Sequence, residues 1–248
     1  MQTINVTVPE LPYAVEEALN RLRINVKFSG NSTRKVLISS SVPNEGKSFV
    51  SFNLWRMLAE AGFPTVLVDT DLRKSVLKNR HNFSSEGEMK GLSYYLSGQA
   101  EYEEIIYHTN IENADIVPCT NLLENPSVLL EDPRLAGLLD RLAEEYRYVI
   151  VDSAPLINVA DGALLASHCD GALLVVNAGE TSRELIRESL MHIERSGCKL
   201  LGMVLNKTET AGRGYRYYGK YGKYGKYGKY GEYSGYYGGG ESSDKPTK

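Results

Sequence analysis

A glycine, a lysine and a serine in succession end the segment SSSVPNEGKS (39–48). The segment lies between an apolar run and a helical pattern, and a loop in that position directs backbone N–H groups and the positive end of a helix dipole at an anion. We predict that six loop residues bind nucleotide phosphates: Asn44, Glu45, Gly46, Lys47, Ser48 and Phe49. The Lys47 ammonium suits the β- and γ-phosphates, and the Ser48 hydroxyl suits Mg²⁺. An ordinary strand–helix turn is the alternative, because Ser41 stands where the usual spacing has a first glycine.

Three aspartates follow apolar runs. TVLVDTDLR (65–73) contains Asp69 and Asp71, and YVIVDSAP (148–155) contains Asp152. Because the carboxyl ends of parallel strands converge on the ligand crevice of an open sheet, we expect these carboxylates beside the phosphate loop. Mg²⁺ takes oxygen ligands next to a polyphosphate, directly or through water. The three carboxylates together are therefore predicted to provide Mg²⁺ ligands beside Ser48, although any one of them taken alone is better explained as a surface aspartate that caps the next helix.

The last part of the chain differs in composition from the rest. After Thr210 there is no aliphatic side chain larger than alanine, and between Lys220 and Gly231 a Lys-Tyr-Gly unit repeats. Such a segment buries too little apolar surface to offset its ordering entropy, so we predict a disordered tail over 211–248. A solvated linker or an adhesive segment is the alternative. Ten tyrosines lie in it: Tyr215, Tyr217, Tyr218, Tyr221, Tyr224, Tyr227, Tyr230, Tyr233, Tyr236 and Tyr237.

The elements that must position these groups alternate along the chain. Six short apolar runs predict strands, at 36–39, 65–69, 114–118, 148–152, 172–176 and 200–205. Four longer segments predict helices, at 15–28, 48–62, 132–146 and 182–197. Nearly continuous apolar strands are typical of a parallel sheet buried on both faces. Alternating strands and helices therefore predict an α/β fold with a doubly wound, mostly parallel sheet.

Charge and composition exclude several classes of protein. The tail carries eight Lys and Arg against three Asp and Glu, a net +5, whereas the whole chain is −3, which leaves −8 on the first 210 residues. The net charge of −3 by itself predicts no nucleic-acid partner. Three scattered cysteines predict neither a disulfide framework nor a zinc site and favour a reducing compartment. We see no secretory signal and no apolar run of about 18 residues, so a membrane role needs a partner.

Three motifs together resemble those of bacterial tyrosine kinases. SSSVPNEGKS resembles the Walker A motif of that family, VLVDTDLR its Walker A′ motif and VIVDSAP its Walker B motif. A tyrosine-rich C-terminal cluster is a fourth hallmark, and the resemblance extends over about residues 10–237. It implies a P-loop fold of the partitioning-ATPase type, with ATP and Mg²⁺. It also implies nucleotide contacts by Arg73 and by Asn206, which occupies a position similar to a base-binding one; for Asn206 a helix cap is the alternative.

The resemblance assigns roles in phosphoryl transfer, which is mostly positioning and charge stabilisation. Lys47 would offset charge on the transferring group, and Asp152 with Asp71 would hold the metal. A tyrosine hydroxyl titrates near pH 10, so a carboxylate must take or orient its proton. Asp69 is the candidate for that base, with Asp71 as the alternative.

The resemblance also implies partners. The split form of these kinases, found in Gram-positive bacteria, works at the inner face of the membrane with a separate membrane adaptor and an opposing tyrosine phosphatase. It controls capsule or exopolysaccharide synthesis and export. Relatives form homo-oligomers through an E-x-x-R-x-x-R pattern, which aligns here with Glu17, Asn20 and Arg23. Asn20 departs from that pattern, which puts the ring-shaped oligomer in doubt.

We therefore expect a protein-tyrosine autokinase with three parts. Residues 1–35 form an N-terminal helical segment for oligomerisation or activation, 36–210 the kinase domain, and 211–248 the tail that it phosphorylates. One alternative is a partitioning-type ATPase switch without a protein substrate. Val42 disfavours it, because those proteins usually carry a second lysine at this position. Another is a scaffold that only binds nucleotide, which the intact Lys47 and aspartates disfavour.

Overall fold

The sheet is the element from which the rest of the molecule is built. We describe it from a computed structural model that covers residues 2–157 and 160–208. Its strands are β1 (Thr3–Ile4), β2 (Lys35–Ser40), β3 (Thr65–Asp69), β4 (Tyr107–Thr109), β5 (Ala114–Val117), β6 (Tyr148–Asp152), β7 (Gly171–Asn177) and β8 (Leu200–Asn206). They lie in the order β1-β4-β5-β3-β6-β2-β7-β8. Every neighbouring pair is parallel except β4 and β5, which are antiparallel.

Helices cover both faces of this sheet. They are α1 (Tyr13–Phe28), α2 (Lys47–Glu60), α3 (Leu77–Arg80), α4 (Leu92–Leu96), α5 (Tyr102–Ile105), α6 (Ser127–Leu130), α7 (Pro133–Glu145), α8 (Asp161–Ser167) and α9 (Arg183–Arg195). One apolar core joins α1 and α2 to the sheet, with the buried Trp55 among its members. The second core joins the helices from α4 through α9 to the other face of the sheet. The central strands are therefore buried from both sides, which explains their continuous apolar sequences.

The sequence predicted this architecture. All six predicted strands and all four predicted helices are confirmed, with ends that differ by only a few residues. The sequence analysis missed β1 and β4, because two and three residues are too short to show a period. The antiparallel β4–β5 pair was not foreseen either.

Two predictions lie outside the described residues. The tyrosine cluster and the boundary at residue 210 both fall beyond Thr208, and they stay predictions. Within the described part of the chain, the helices include none that is long and apolar enough to cross a bilayer.

His81 joins the N-terminal segment to the core beneath α2. Its ring nitrogen Nδ1 lies 3.0 Å from the carbonyl oxygen of Thr7, and its ring stacks on Phe52 with the centroids 3.4 Å apart. The backbone N–H of Thr7 donates in turn to the His81 carbonyl, at 2.7 Å. The side chain is only 5% exposed. Burial disfavours the charged imidazolium and lowers the pKa of His81 to about 4.

We expect His81 to lower the free energy of unfolding as the pH is reduced from 6.5 to about 4. Because the pKa of His81 is lower in the folded chain than in the unfolded one, unfolding takes up a proton below pH 6.5. The contribution of neutral His81 to the stability of the folded chain is complete above pH 6.5 and is lost as the pH falls to about 4. The loss is up to about 3 kcal/mol. Urea unfolding at a series of pH values, compared with His81→Gln, isolates it. An equal pH slope in both chains would contradict the prediction.

Candidate functional site

The phosphate loop has the backbone geometry of an anion site. It connects β2 to α2, and Asn44 and Gly46 both adopt positive φ, at 66° and 100°. Asparagine and glycine are the residues that reach this region most readily. Gly46 is the residue that precedes α2 and offers no side chain to its first turn. The N–H groups of that turn, which include those of Lys47 and Ser48, are therefore left for a ligand.

Glu45 holds this loop from the protein side. Its carboxylate accepts hydrogen bonds from the backbone N–H groups of Val42, at 2.8 Å, and Asn177, at 3.1 Å, and from the Thr181 hydroxyl. The residue is 1% exposed. The side chain thus ties the loop to the end of β7, and only the backbone of Glu45 is left for the predicted phosphate contact.

The end of β8 holds the same loop from a second side. The Asn206 amide nitrogen Nδ2 donates to the Glu45 carbonyl oxygen at 2.8 Å, and Lys207 Nζ donates to that of Asn44 at 2.6 Å. A Cβ atom added to Gly46 would lie 2.0 Å from Asn206 Nδ2. A glycine is therefore needed here for two reasons, its positive φ and the close approach of Asn206.

The predicted carboxylates meet next to the loop. Asp69 and Asp152 end the neighbouring strands β3 and β6 and lie opposite each other in register. Lys47 Nζ lies 2.8 Å from Asp71 Oδ2, in an ion pair that is almost fully buried. The Ser51 hydroxyl lies 2.8 Å from Asp152 Oδ1 and 2.9 Å from the carbonyl oxygen of Lys47. The structure thus brings Lys47 and all three aspartates into one cluster.

The charges of this cluster do not balance. One buried ammonium faces three buried carboxylates. Loss of solvation raises the pKa of Asp152, and the opposite charge of Lys47 offsets this increase only in part. Loss of solvation and the neighbouring Asp152 raise the pKa of Asp69 well above its ordinary value. The pKa of Lys47 is also raised, because the attraction of Asp152 and Asp71 outweighs its own desolvation.

Asp69 has one oxygen without a hydrogen bond. Its Oδ2 accepts from the Ser75 hydroxyl, whereas its buried Oδ1 has no hydrogen-bond partner among the described residues. A buried carboxylate oxygen left without a partner is costly. Asp71 differs, since it accepts from Lys47 and from the backbone N–H of Lys74 at 3.0 Å.

Arg73 and Phe49 make their described contacts with protein. The guanidinium Nε of Arg73 lies 2.7 Å from Asp161 Oδ2, and the two Nη atoms lie 3.0 Å from the carbonyl oxygen of Glu124 and from the Ser127 hydroxyl. This arrangement ties the loop after β3 to the start of α8. The half-buried Phe49 packs against the core on the α2 face. Their predicted nucleotide contacts stay predictions.

Sequence reasoning missed several members of the site. Ser51 was detectable, because it follows Lys47 by one helical turn and so lies on the same face of α2. The hydrogen bond from the Asn177 backbone to Glu45 and the Arg73–Asp161 pair were not detectable. The two residues in each contact are 132 and 88 positions apart in the chain, respectively.

The described residues of the site do not by themselves form a metal-ligand cage. Across the described ranges, no group of three or more His, Cys, Asp or Glu side chains is arranged to hold a metal ion. Mg²⁺ commonly binds through one or two carboxylates together with substrate phosphates and waters, and Asp71 and Asp152 beside the phosphate loop meet that requirement.

Comparison with known proteins identifies the family. The family described as "AAA domain" matches residues 34–196. "Tyrosine-protein kinase CpsD" of Streptococcus agalactiae is 38% identical over 204 residues, which is 82% of this chain and 88% of that protein. The kinase domain of Escherichia coli tyrosine kinase ETK superposes with a TM-score of 0.71 at 28% identity, over 79% of this chain and 78% of that one. The septum site-determining protein MinD of Pyrococcus horikoshii shares the fold, with a TM-score of 0.60 at 24% identity over 71% and 72% of the two chains.

We expect Gly46→Ala to destabilise the chain by about 2–3 kcal/mol. About 1–2 kcal/mol is the cost of a Cβ at positive φ, and about 1 kcal/mol follows if the new methyl group displaces the Asn206 amide from Glu45. In an Asn206→Ala background only the first part should remain. Urea unfolding of the two single variants and the double variant measures this coupling. Strictly additive effects would show that Asn206 does not set the requirement for glycine.

Ser51→Ala should cost about 1–3 kcal/mol of unfolding free energy, because it removes a donor from the buried Asp152 carboxylate. The matched control is Ser93→Ala. The Ser93 hydroxyl is also buried but makes no hydrogen bond to any described residue, so its removal should be nearly neutral. Equal losses in the two variants would mean that the Ser51–Asp152 contact contributes nothing.

Proposed function

The chain belongs to the bacterial tyrosine kinases of capsule and exopolysaccharide biosynthesis, and on that premise we propose that it phosphorylates the tyrosines of its own C-terminal cluster. Protein-tyrosine kinase activity and nucleotide use follow from the family. The identity of the substrate, the metal and the partners is our proposal. The observation that carries it is the joint presence of a phosphate loop with excess buried carboxylate and a basic segment with ten tyrosines.

Lys47 and the loop backbone would hold the polyphosphate of ATP. The N–H groups at the start of α2 bind phosphate oxygens, and the Lys47 ammonium turns from Asp71 toward the transferring phosphoryl group. We propose Ser48, Asp71 and Asp152 as the residues that hold Mg²⁺, directly or through water. When bound, Mg²⁺ neutralises charge on the phosphates. The three buried carboxylates outnumber the one buried ammonium, and this excess supports a cation here.

Asp69 suits the role of base. Its buried Oδ1 has no hydrogen-bond partner among the described residues and is therefore available to accept a hydrogen bond from a tyrosine hydroxyl. Asp71 is less suited, because it is proposed as a metal ligand and its Oδ1 accepts from the Lys74 backbone N–H. Proton transfer to Asp69 would leave the tyrosine oxygen able to attack the γ-phosphorus. The bond from that phosphorus to the oxygen bridging it to the β-phosphate would then break, and ADP would leave.

The charge distribution favours the tail as substrate. A flexible chain of 38 residues would span about 35 Å, against a radius of gyration of about 17 Å for a 210-residue body. Its net +5 would be attracted to a body of −8. Each phosphate adds about −1.5 to −2 charges, so about three phosphates would cancel the attraction. We propose that phosphorylation, by removing this attraction, releases the tail from the body or from a neighbouring subunit.

We further propose the cellular setting of these kinases for this chain. A membrane adaptor would activate it at the inner face of the membrane, a tyrosine phosphatase would oppose it, and the cycle would regulate polysaccharide export. The membership of a capsule kinase family supports this setting. A homo-oligomer also belongs to the proposal. However, Asn20 Oδ1 accepts a hydrogen bond from Arg23 at 2.7 Å. Arg23 is an arginine of the oligomerisation pattern, and this hydrogen bond engages it within its own helix.

A partitioning-type ATPase switch is the second candidate. The shared fold with MinD favours it, whereas Val42 stands where such proteins usually carry a second lysine. This candidate also leaves the ten tyrosines without a role.

We expect the purified chain to place phosphate on several of Tyr215 to Tyr237 when it is incubated with ATP and Mg²⁺. Lys47→Met should reduce this by at least about a hundredfold, because it removes charge stabilisation from the transition state. Intact mass and peptide sequencing measure the product, with and without the cytoplasmic segment of the adaptor. Lys90→Met is the matched control, since Lys90 pairs with Glu104 at the surface.

ATP turnover with an unmodified tail, even with the activating segment present, would contradict the autokinase proposal and favour the ATPase switch. Loss of tail phosphate in both lysine variants would show that Lys47 has no special role.

A further inference from the structure

The Ser75 hydroxyl holds one oxygen of the Asp69 carboxylate. Asp69 is fully buried at the end of β3, and its Oδ2 accepts a hydrogen bond from Ser75. Its Oδ1 is buried and has no hydrogen-bond partner among the described residues. Because hydrogen bonds weaken steeply as their angle departs from linear, the bond from Ser75 restricts rotation of the carboxylate. The position of Ser75 therefore sets the direction in which Oδ1 faces.

The other two carboxylates of the cluster are held by different groups. Asp152 accepts from the Ser51 hydroxyl at 2.8 Å, and Asp71 accepts from the Lys47 ammonium at 2.8 Å. Both donors belong to α2, whereas Ser75 belongs to the segment that follows β3. Removal of the Ser75 hydroxyl would therefore leave these two contacts in place and release only the third carboxylate.

The segment after β3 turns back toward the end of that strand. The backbone N–H of Lys74 donates to Asp71 Oδ1 at 3.0 Å, and the backbone N–H of Leu72 donates to the carbonyl oxygen two residues earlier at 2.9 Å. Aspartate side chains commonly stabilise turns in this way. The turn brings Ser75 within hydrogen-bond distance of Asp69, which precedes it by six residues.

Two distant parts of the chain anchor this turn. Arg73 Nε lies 2.7 Å from Oδ2 of Asp161, a residue that is 2% exposed. The backbone N–H of Leu123 donates to the carbonyl oxygen of Leu72 at 2.8 Å. These contacts flank Ser75 on its N-terminal side, so the position of its hydroxyl is determined by packing as well as by the local turn.

We propose that Ser75 is a positioning residue for phosphoryl transfer, which fixes the Asp69 carboxylate so that Oδ1 stays available to the acceptor hydroxyl. The inference rests on the proposed function, in which Asp69 accepts the proton of the tyrosine. Ser75 donates its own hydrogen to Oδ2, so the tyrosine proton goes to Oδ1. A general base must lie within hydrogen-bond distance of the proton that it takes, and a displacement of about 1 Å can lower a rate about a hundredfold.

Initial rates of tail phosphorylation by the full-length chain, measured over a range of ATP concentrations, test the proposal. We expect Ser75→Ala to lower the maximal rate about tenfold to a hundredfold. The apparent KM for ATP should be unchanged, because Lys47 and the loop backbone bind the nucleotide. Ser75→Thr keeps the hydroxyl and should restore most of the maximal rate.

Three results would overturn the proposal. One is a Ser75→Ala chain as active as the wild type. Another is a defect confined to the apparent KM for ATP. The third is a loss that Ser75→Thr shares with Ser75→Ala, which would mean that the hydroxyl is not the group that matters.

Ser196→Ala is the matched control for loss of a serine hydroxyl. Ser196 is half-buried, as Ser75 is, and its hydroxyl donates to the carbonyl oxygen of Ile193 at 2.6 Å. It follows α9 and precedes β8, at the end of the sheet opposite the phosphate loop. Its replacement should leave the maximal rate unchanged. Equal losses in the Ser196→Ala and Ser75→Ala chains would contradict a specific role for Ser75.

A double-mutant cycle shows whether Ser75 acts through Asp69. Asp69→Asn removes the proposed base, so adding Ser75→Ala to that chain should cause no further loss of rate. A structural role alone would instead lower the free energy of unfolding and leave the rate per folded molecule unchanged, which urea unfolding of the same variants measures. Losses that multiply in the double variant would overturn the proposal.

ATP turnover separates failure of this inference from failure of the proposed function. If the wild type hydrolyses ATP but leaves its tail unmodified, the autokinase proposal fails, and water takes the place of the tyrosine hydroxyl. Ser75→Ala should then lower hydrolysis at least about tenfold, and Ser75→Thr should not. Unchanged hydrolysis in Ser75→Ala would overturn the inference, as would a wild type that neither transfers phosphate nor hydrolyses ATP.

Discussion

The central constraint in this molecule is an excess of buried negative charge beside the phosphate loop. Three aspartates lie within a cluster that contains one buried ammonium, and two of them have raised pKa values. Burying unpaired charge is costly unless a counter-ion compensates it. That cost arises where parallel strands end side by side, because β3 and β6 place Asp69 and Asp152 next to each other at the carboxyl end of the sheet. A site of this kind is suited to cations and to the positive end of α2.

A second feature is how firmly the loop is held. Glu45 connects it to the end of β7, and Asn206 and Lys207 connect it to the end of β8. β8 ends at Asn206, so the residues that end this strand and follow it are bonded directly to the predicted phosphate loop.

The carboxyl ends of the strands and the lateral edge of the sheet differ in chemical character. The carboxyl ends carry the buried aspartates next to the phosphate loop, whereas the edge strand β8 carries exposed apolar side chains. These surfaces are separate. Formal charge is also unevenly distributed along the chain, with −8 on the first 210 residues and +5 on the remaining segment.

The fold class, and the fact that the candidate site residues follow the ends of strands, could be predicted from the sequence alone. Buried parallel strands give continuous apolar runs, and Gly46, Lys47 and the aspartates follow those runs at short distances along the chain. The tertiary structure alone decided which contacts these residues make. Glu45 bonds a backbone N–H that is 132 residues away, Arg73 pairs with Asp161 88 residues away, and the Asn206 amide fills the space beside Gly46. The exposure of Met203 was equally hidden, because a sequence pattern shows that a strand is apolar but not that it lies at an edge. Local periodicity reports only near neighbours, and these contacts arise when distant segments meet.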